Sequence, residues 1–139
     1  MAKAELTFEN ITFRPLGGGW CTVGRITNQI GDNGRVRVSG ARIKNNGVGP
    51  IEITIGNSAN YPSDGQITPK GFALVEKTNT GDPCGEKNFN SRSHSERNHT
   101  IRMQALAHTG GGATWKLVIM IQHDDGRVGV IDPDVENDN

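Results

Sequence analysis

Long hydrophobic runs are missing from this chain of 139 residues. No window of about 18 apolar residues occurs, which excludes a transmembrane helix. The opening "MAKAELTFEN" alternates apolar and polar from its fifth residue and holds no apolar h-region. No secretory signal is therefore expected, and synthesis in the cytoplasm follows. Cysteine is scarce: Cys21 and Cys84 are too few for a disulfide-stapled scaffold, and the sequence leaves open whether they are joined. Aromatic residues make up 5% and apolar residues 33%, so the core must be thin and built from Val, Ile and Leu. An excess of one charge is also absent, since 15 basic side chains balance 15 acidic ones. Nucleic-acid binding rests on a basic excess with aromatics interleaved, and is disfavoured here.

The balance hides an asymmetry. Residues 1–50 carry Lys3, Arg14, Arg25, Arg35, Arg37, Arg42 and Lys44 against Glu5, Glu9 and Asp32, whereas residues 99–139 carry three basic groups against six acids. Such halves can steer an anionic partner or attract each other in a homo-oligomer, and the homo-oligomer is the expected state.

What the chain does have is glycine, 19 residues of it, and a period of two. "IEITI" (51–55) sets Ile51, Ile53 and Ile55 on one face and Glu52 and Thr54 on the other. "GRVRVSGARIK" begins with Val36 and Val38 inward and changes phase at Ser39-Gly40, which predicts a β-bulge at Gly40. The first strand changes phase in the same way at Glu9-Asn10. Further strands are expected at 20–27, 72–78, 99–107, 115–123 and 127–131, divided by "PLGGG", "NNGVGP", "YPSDG", "TGGGA" and "DDG". About eight strands with no helical period predict an antiparallel β-sandwich, jelly-roll-like, over a single domain of residues 1–139, with a small closed barrel as the alternative. Residues 132–139 read as a flexible acidic tail, and 79–99 as a long polar loop.

No motif of assembled catalysis occurs: G-x-S-x-G, H-E-x-x-H and C-x-x-C are all absent. "HDDG" (123–126) reads as a hairpin turn rather than a metal site, with Asp125-Gly126 central, Asp124 opposite Arg127 and His123 opposite Val128. "SRSHSERNH" offers Arg92, His94 and Arg97 as an anion-binding set, and His94 or His99 as a hydrolytic base. "GNSANYPSDG" offers Asn57, Asn60, Tyr61 and Asp64, the amide, carboxylate and aromatic groups that sugar hydroxyls and C–H faces require. The leading expectation is a binding module without catalysis or cofactor, recognising carbohydrate or a membrane surface through loops 56–65 and 79–99. A self-assembling coat, appendage or inclusion component is the second expectation, suggested by "LVIMI", which is apolar on both faces. A small hydrolase using His94 or His99 is the third.

Overall fold

The computed structural model describes residues 1–8, 13–17, 20–23, 26–31, 35–39, 42–58, 63, 65–78, 80–107 and 113–138. At 8, 13–17, 20–23, 26–31, 39, 57 and 58 it describes the backbone alone. Among these residues there are thirteen strands and no helix, hence none long and apolar enough to cross a membrane. In chain order the first seven are β1 (Ala2–Phe8), β2 (Phe13–Gly17), β3 (Trp20–Val23), β4 (Ile26–Gly31), β5 (Val36–Ser39), β6 (Arg42–Asn45) and β7 (Gly49–Ser58). The remaining six are β8 (Ile67–Glu76), β9 (Phe89–Ser95), β10 (Thr100–Ala105), β11 (Ala113–His123), β12 (Val128–Ile131) and β13 (Asp134–Asn137).

They form two sheets packed face to face as a β-sandwich, with no closed barrel among the described residues. The five-stranded sheet runs β4-β1-β7-β10-β9. In the eight-stranded sheet β11 is the hub. One edge of β11 pairs with β8 along its whole length, while the other edge is shared, residues 119–122 with β12 and 113–116 with β13. The break falls at Pro133, which has no N–H to give the ladder; its carbonyl instead accepts from Leu117 N at 2.8 Å. Beyond the break the sheet forks, through β12 to β3 and β2 and through β13 to β6 and β5. Three pairings are parallel, β1–β7, β12–β3 and β13–β6, so both sheets are mixed rather than wholly antiparallel.

The period-two pattern decides which face each strand buries. Ile51, Ile53 and Ile55 of β7, with Ala2, Ala4 and Leu6 of β1, lie opposite Trp115, Leu117, Ile119 and Ile121 of β11 in one continuous core. Each such aliphatic side chain, moved fully out of water, contributes about 1.5–3 kcal/mol. Small Ala2 and Ala4 sit in register with Ile51 and Ile53, a size alternation that lets the facing layers interdigitate.

Several expected features take another form. The strand expected to run on through a bulge at Gly40 is divided in two: β5 and β6 pair with each other antiparallel, Val38 with Ile43 and Ser39 with Arg42, while Gly40 itself lies outside the described residues. The expected bulge at Glu9-Asn10 lies outside the described residues; β1 and β2, on either side, belong to different sheets. The polar stretch 79–99 contains β9, and its first half folds around Asp82, whose carboxylate accepts from Lys87 N (3.0 Å) and Asn88 Nδ2 (2.9 Å). Cys84, within it, is a free and exposed thiol.

The acidic segment 132–139, expected as a solvated tail, supplies β13. Val135 and Asn137 are buried on its inner face. Asp134 and Glu136 face out and are met by Lys77, Lys116, Arg42 and Lys44. Burial alone would raise the Asp134 pKa, but the Lys77 hydrogen bond and the charges of Lys116 and Lys77 outweigh it and leave it lowered.

Candidate functional site

A cleft of about 250 Å³ opens where the start of β8 meets the β11–β12 hairpin, lined by Thr68, Lys70, Gln122, His123, Asp124 and Gly126. Each wall follows from a local rule. Pro69 interrupts the β8–β11 ladder: Met120 pairs with Gly71 but Ile121 with Pro69, leaving Lys70 as the extra residue of a bulge. The bulge turns the Lys70 ammonium toward Glu96 in the turn after β9, where the two form an ion pair. That hydrogen bond and charge hold the Glu96 carboxyl below its usual range.

The opposite wall is the "HDDGR" hairpin, one residue out of the expected register. Gln122 pairs with Val128, and His123 N donates to Arg127 O at 2.8 Å. The loop therefore has three residues, closed by Gly126 N donating to His123 O at 2.9 Å, with Gly126 at φ +92° in the left-handed region that glycine enters freely. Asp125, not Asp124, takes Arg127, accepting from its backbone N (3.0 Å) and Nε (2.7 Å). Those bonds, with His123 adding to them, hold the Asp125 carboxyl well below the usual range. The slip puts Val128 on the outer face, 54% exposed, where the expected register had it in the core.

Asp124 is thereby released to β8. Its Oδ2 accepts from Gln66 N at 2.8 Å while its own N donates to Gln66 O at 3.0 Å. His123 is buried at the end of the inner stripe of β11, its Nδ1 3.2 Å from Asp125 N and 3.1 Å from Asp125 Oδ1. Its Nε2 lies against Gly65, where an added Cβ would stand 2.6 Å away. Gly65 also has φ +84°. Gly65→Ala is accordingly expected to cost at least about 2 kcal/mol, the left-handed penalty plus displacement of the imidazole. A urea unfolding midpoint unchanged from the parent would contradict that packing.

His99 fastens the third side. It adopts φ +55°, and its Nδ1 lies 3.1 Å from Ile67 O and its Nε2 2.8 Å from Gln66 Nε2. A carbonyl only accepts, so Nδ1 carries the proton in the neutral ring and Nε2 accepts from the Gln66 amide. With both nitrogens engaged, His99 is a brace and not a free base.

The other expected site residues are spread out. Arg92 sits in a bulge of β9 beside Ser91, which has φ +51°. Its Nε donates to Phe89 O (2.9 Å) and its Nη2 to Cys84 O (2.5 Å), so the guanidinium clamps the 84–89 turn. Beside it is a second hollow of about 320 Å³, lined by Glu86, Phe89, Asn90, Ser91 and Arg92. His94 is exposed on β9, opposite Ile101, and Arg97 is exposed in the turn that follows. Asn60, Tyr61 and Asp64 lie outside the described residues, and of Asn57 only the backbone is described.

Sequence reasoning passed over Thr68, Lys70, Gln122 and Asp124 because they come from separate segments. One signal was there, a proline inside an otherwise regular strand pattern, which marks a bulge. No group of three or more His, Cys, Asp or Glu side chains that could hold a metal ion occurs among the described residues. No family model and no curated protein sequence matches this chain, so the site is read from its own residues.

Proposed function

We propose that this chain is a non-enzymatic binding module whose cleft takes one ring of a carbohydrate. The observation that carries the reading is the make-up of the cleft wall. A hydroxyl (Thr68), an ammonium (Lys70), an amide (Gln122) and a carboxylate (Asp124) converge on one small hollow. Lys70 is compensated by Glu96, so the wall mixes donors and acceptors and keeps Asp124 as a charged acceptor for sugar hydroxyls. A volume near 250 Å³ falls just under the range usual for drug-sized ligands and suits a single sugar ring. The carboxylate and ammonium are already engaged, and among the described residues that line the cleft the hydroxyl of Thr68 is not paired with a base, which supports binding over turnover.

Asp124→Asn is the informative variant, because an asparagine oxygen still accepts from Gln66 N while the charge is lost. On a glycan array followed by titration calorimetry, the parent is expected to bind a subset of glycans, and Asp124→Asn to bind them roughly ten-fold more weakly, the value of a charge-assisted hydrogen bond. An array blank for the parent, or equal affinity of parent and variant, would overturn the proposal.

A further inference from the structure

The outer face of the eight-stranded sheet carries two features that the cleft does not use. Across β5, β6, β13, β11 and the end of β8 runs a lattice of charge in which Arg37, Arg42, Lys44, Lys77 and Lys116 surround Asp132, Asp134 and Glu136. Among these groups five cations stand against three carboxylates, and exposed Asp138, the next outward position after Glu136, narrows the excess to one. The depths differ as well: Arg42, Lys44, Lys77 and Lys116 are 39–47% exposed, whereas the Asp134 and Glu136 carboxylates beneath them are 14% and 11% exposed. Over Asp134 and Glu136 solvent therefore meets mainly ammonium and guanidinium groups, whereas the Asp132 carboxylate is itself 50% exposed. Next to this lattice, on the same face, Val75 (53%), Met120 (39%) and Val128 (54%) are large apolar side chains left in water, with exposed Ala73 among them. The two areas adjoin directly, since Lys116 is in register with Val75 on β8.

We propose that this face docks on an anionic lipid surface, with the cations at headgroup level and the valines and Met120 reaching shallowly into the interface. Isolated surface apolar residues need no explanation, but a cluster flanked by cations on one broad sheet face does. Charge complementarity selects the partner. An anionic leaflet attracts each basic side chain near it, and burial of the apolar cluster adds to that. A second copy seated face to face by a two-fold axis would instead bring two cationic lattices together. The cleft adjoins this face, since Gln122 is in register with both Val128 and Thr68, but none of its lining residues belongs to the charged lattice or the apolar cluster.

The test is vesicle flotation with the full chain, using phosphatidylcholine vesicles with and without roughly one-third phosphatidylserine, alongside light scattering. Binding is expected only to the anionic vesicles and is expected to fall steeply as salt is raised. Val75→Glu/Val128→Glu and, separately, Arg37→Glu are each expected to weaken it roughly ten-fold. These side chains are exposed, so both variants should melt with the parent. Lys3→Glu, exposed on β1 of the other sheet, should bind as the parent does. Equal binding to neutral vesicles, no binding to anionic ones, or a loss with Lys3→Glu as large as with Arg37→Glu would each overturn the proposal. So would a dimer that Val75→Glu/Val128→Glu splits without any vesicle binding, which would assign the face to a second copy.

Discussion

Asn137→Leu is expected to destabilise the protein by about 3–5 kcal/mol, a large part of the roughly 5–15 kcal/mol typical of a folded domain. Asn137 is fully buried on β13, at the centre of a chain of side-chain amides. Its Oδ1 accepts from Asn45 Nδ2 at 3.0 Å, and its Nδ2 donates to Asn88 Oδ1 at 2.8 Å and to Leu106 O at 2.9 Å. The chain continues through Asn88 Nδ2 to the buried carboxylate of Asp82. Leucine matches asparagine in reach but leaves these partners facing an apolar group. Each buried polar atom that loses a partner costs about 1–3 kcal/mol, with Asn45 partly spared by its second acceptor, Gly47 O. Urea unfolding followed by circular dichroism measures the loss. A value under about 1 kcal/mol would mean that the amide chain contributes little and that β13 is held by its salt bridges alone.

The second large effect belongs to Trp115, the bulkiest fully buried side chain among the described residues. It joins β11 to the same loop: Nε1 donates to Asp82 O at 2.8 Å, and its ring meets Phe89 edge to face at 5.7 Å between centroids and 86° between planes. Trp115→Ala should cost about 3–5 kcal/mol through the cavity alone, with the unpaired Asp82 carbonyl added. Trp115→Phe keeps most of the ring contact and loses chiefly the hydrogen bond and some volume, so roughly half that loss is expected. Equal losses in the two variants would show that the Asp82 bond, rather than packing, dominates. Similar stability of Trp115→Ala and the parent would refute the assignment of this ring to the centre of the core.

Much of the sandwich was legible in the sequence, because alternation is a direct record of burial. "IEITI" and "TWKLVIMIQ" announce their inner faces, and the structure buries Ile51, Ile53, Ile55, Leu117, Ile119 and Ile121. β13 was hidden by its charges. "DVEN" alternates too, but its outward residues are acids, and only the partners Lys77, Lys116, Arg42 and Lys44, distant in sequence, turn an acidic tail into a strand. The parallel pairings of β1 with β7 and β13 with β6 were equally out of reach, since they join segments far apart in the chain and no short turn announces them. The hairpin register failed by one residue because "DDG" satisfies both a two-residue loop and a three-residue loop with a left-handed glycine. What separates the two is the Asp125–Arg127 contact, a side-chain interaction rather than a backbone preference. The cleft depends on that register and on the bulge at Lys70, so it was the least legible part. Its residues surface only once Pro69 has broken the ladder and the hairpin has released Asp124 to Gln66.

The central claim is that the β8–hairpin cleft is the ligand site, and amide chemical-shift mapping during titration with a panel of monosaccharides tests it most directly. The account predicts saturable shifts concentrated at Thr68, Lys70, Gln122, Asp124 and Gly126, with Asn90, Ser91 and Arg92 at the second hollow unmoved. Saturable shifts centred on the second hollow, or no shift for any sugar, would contradict it.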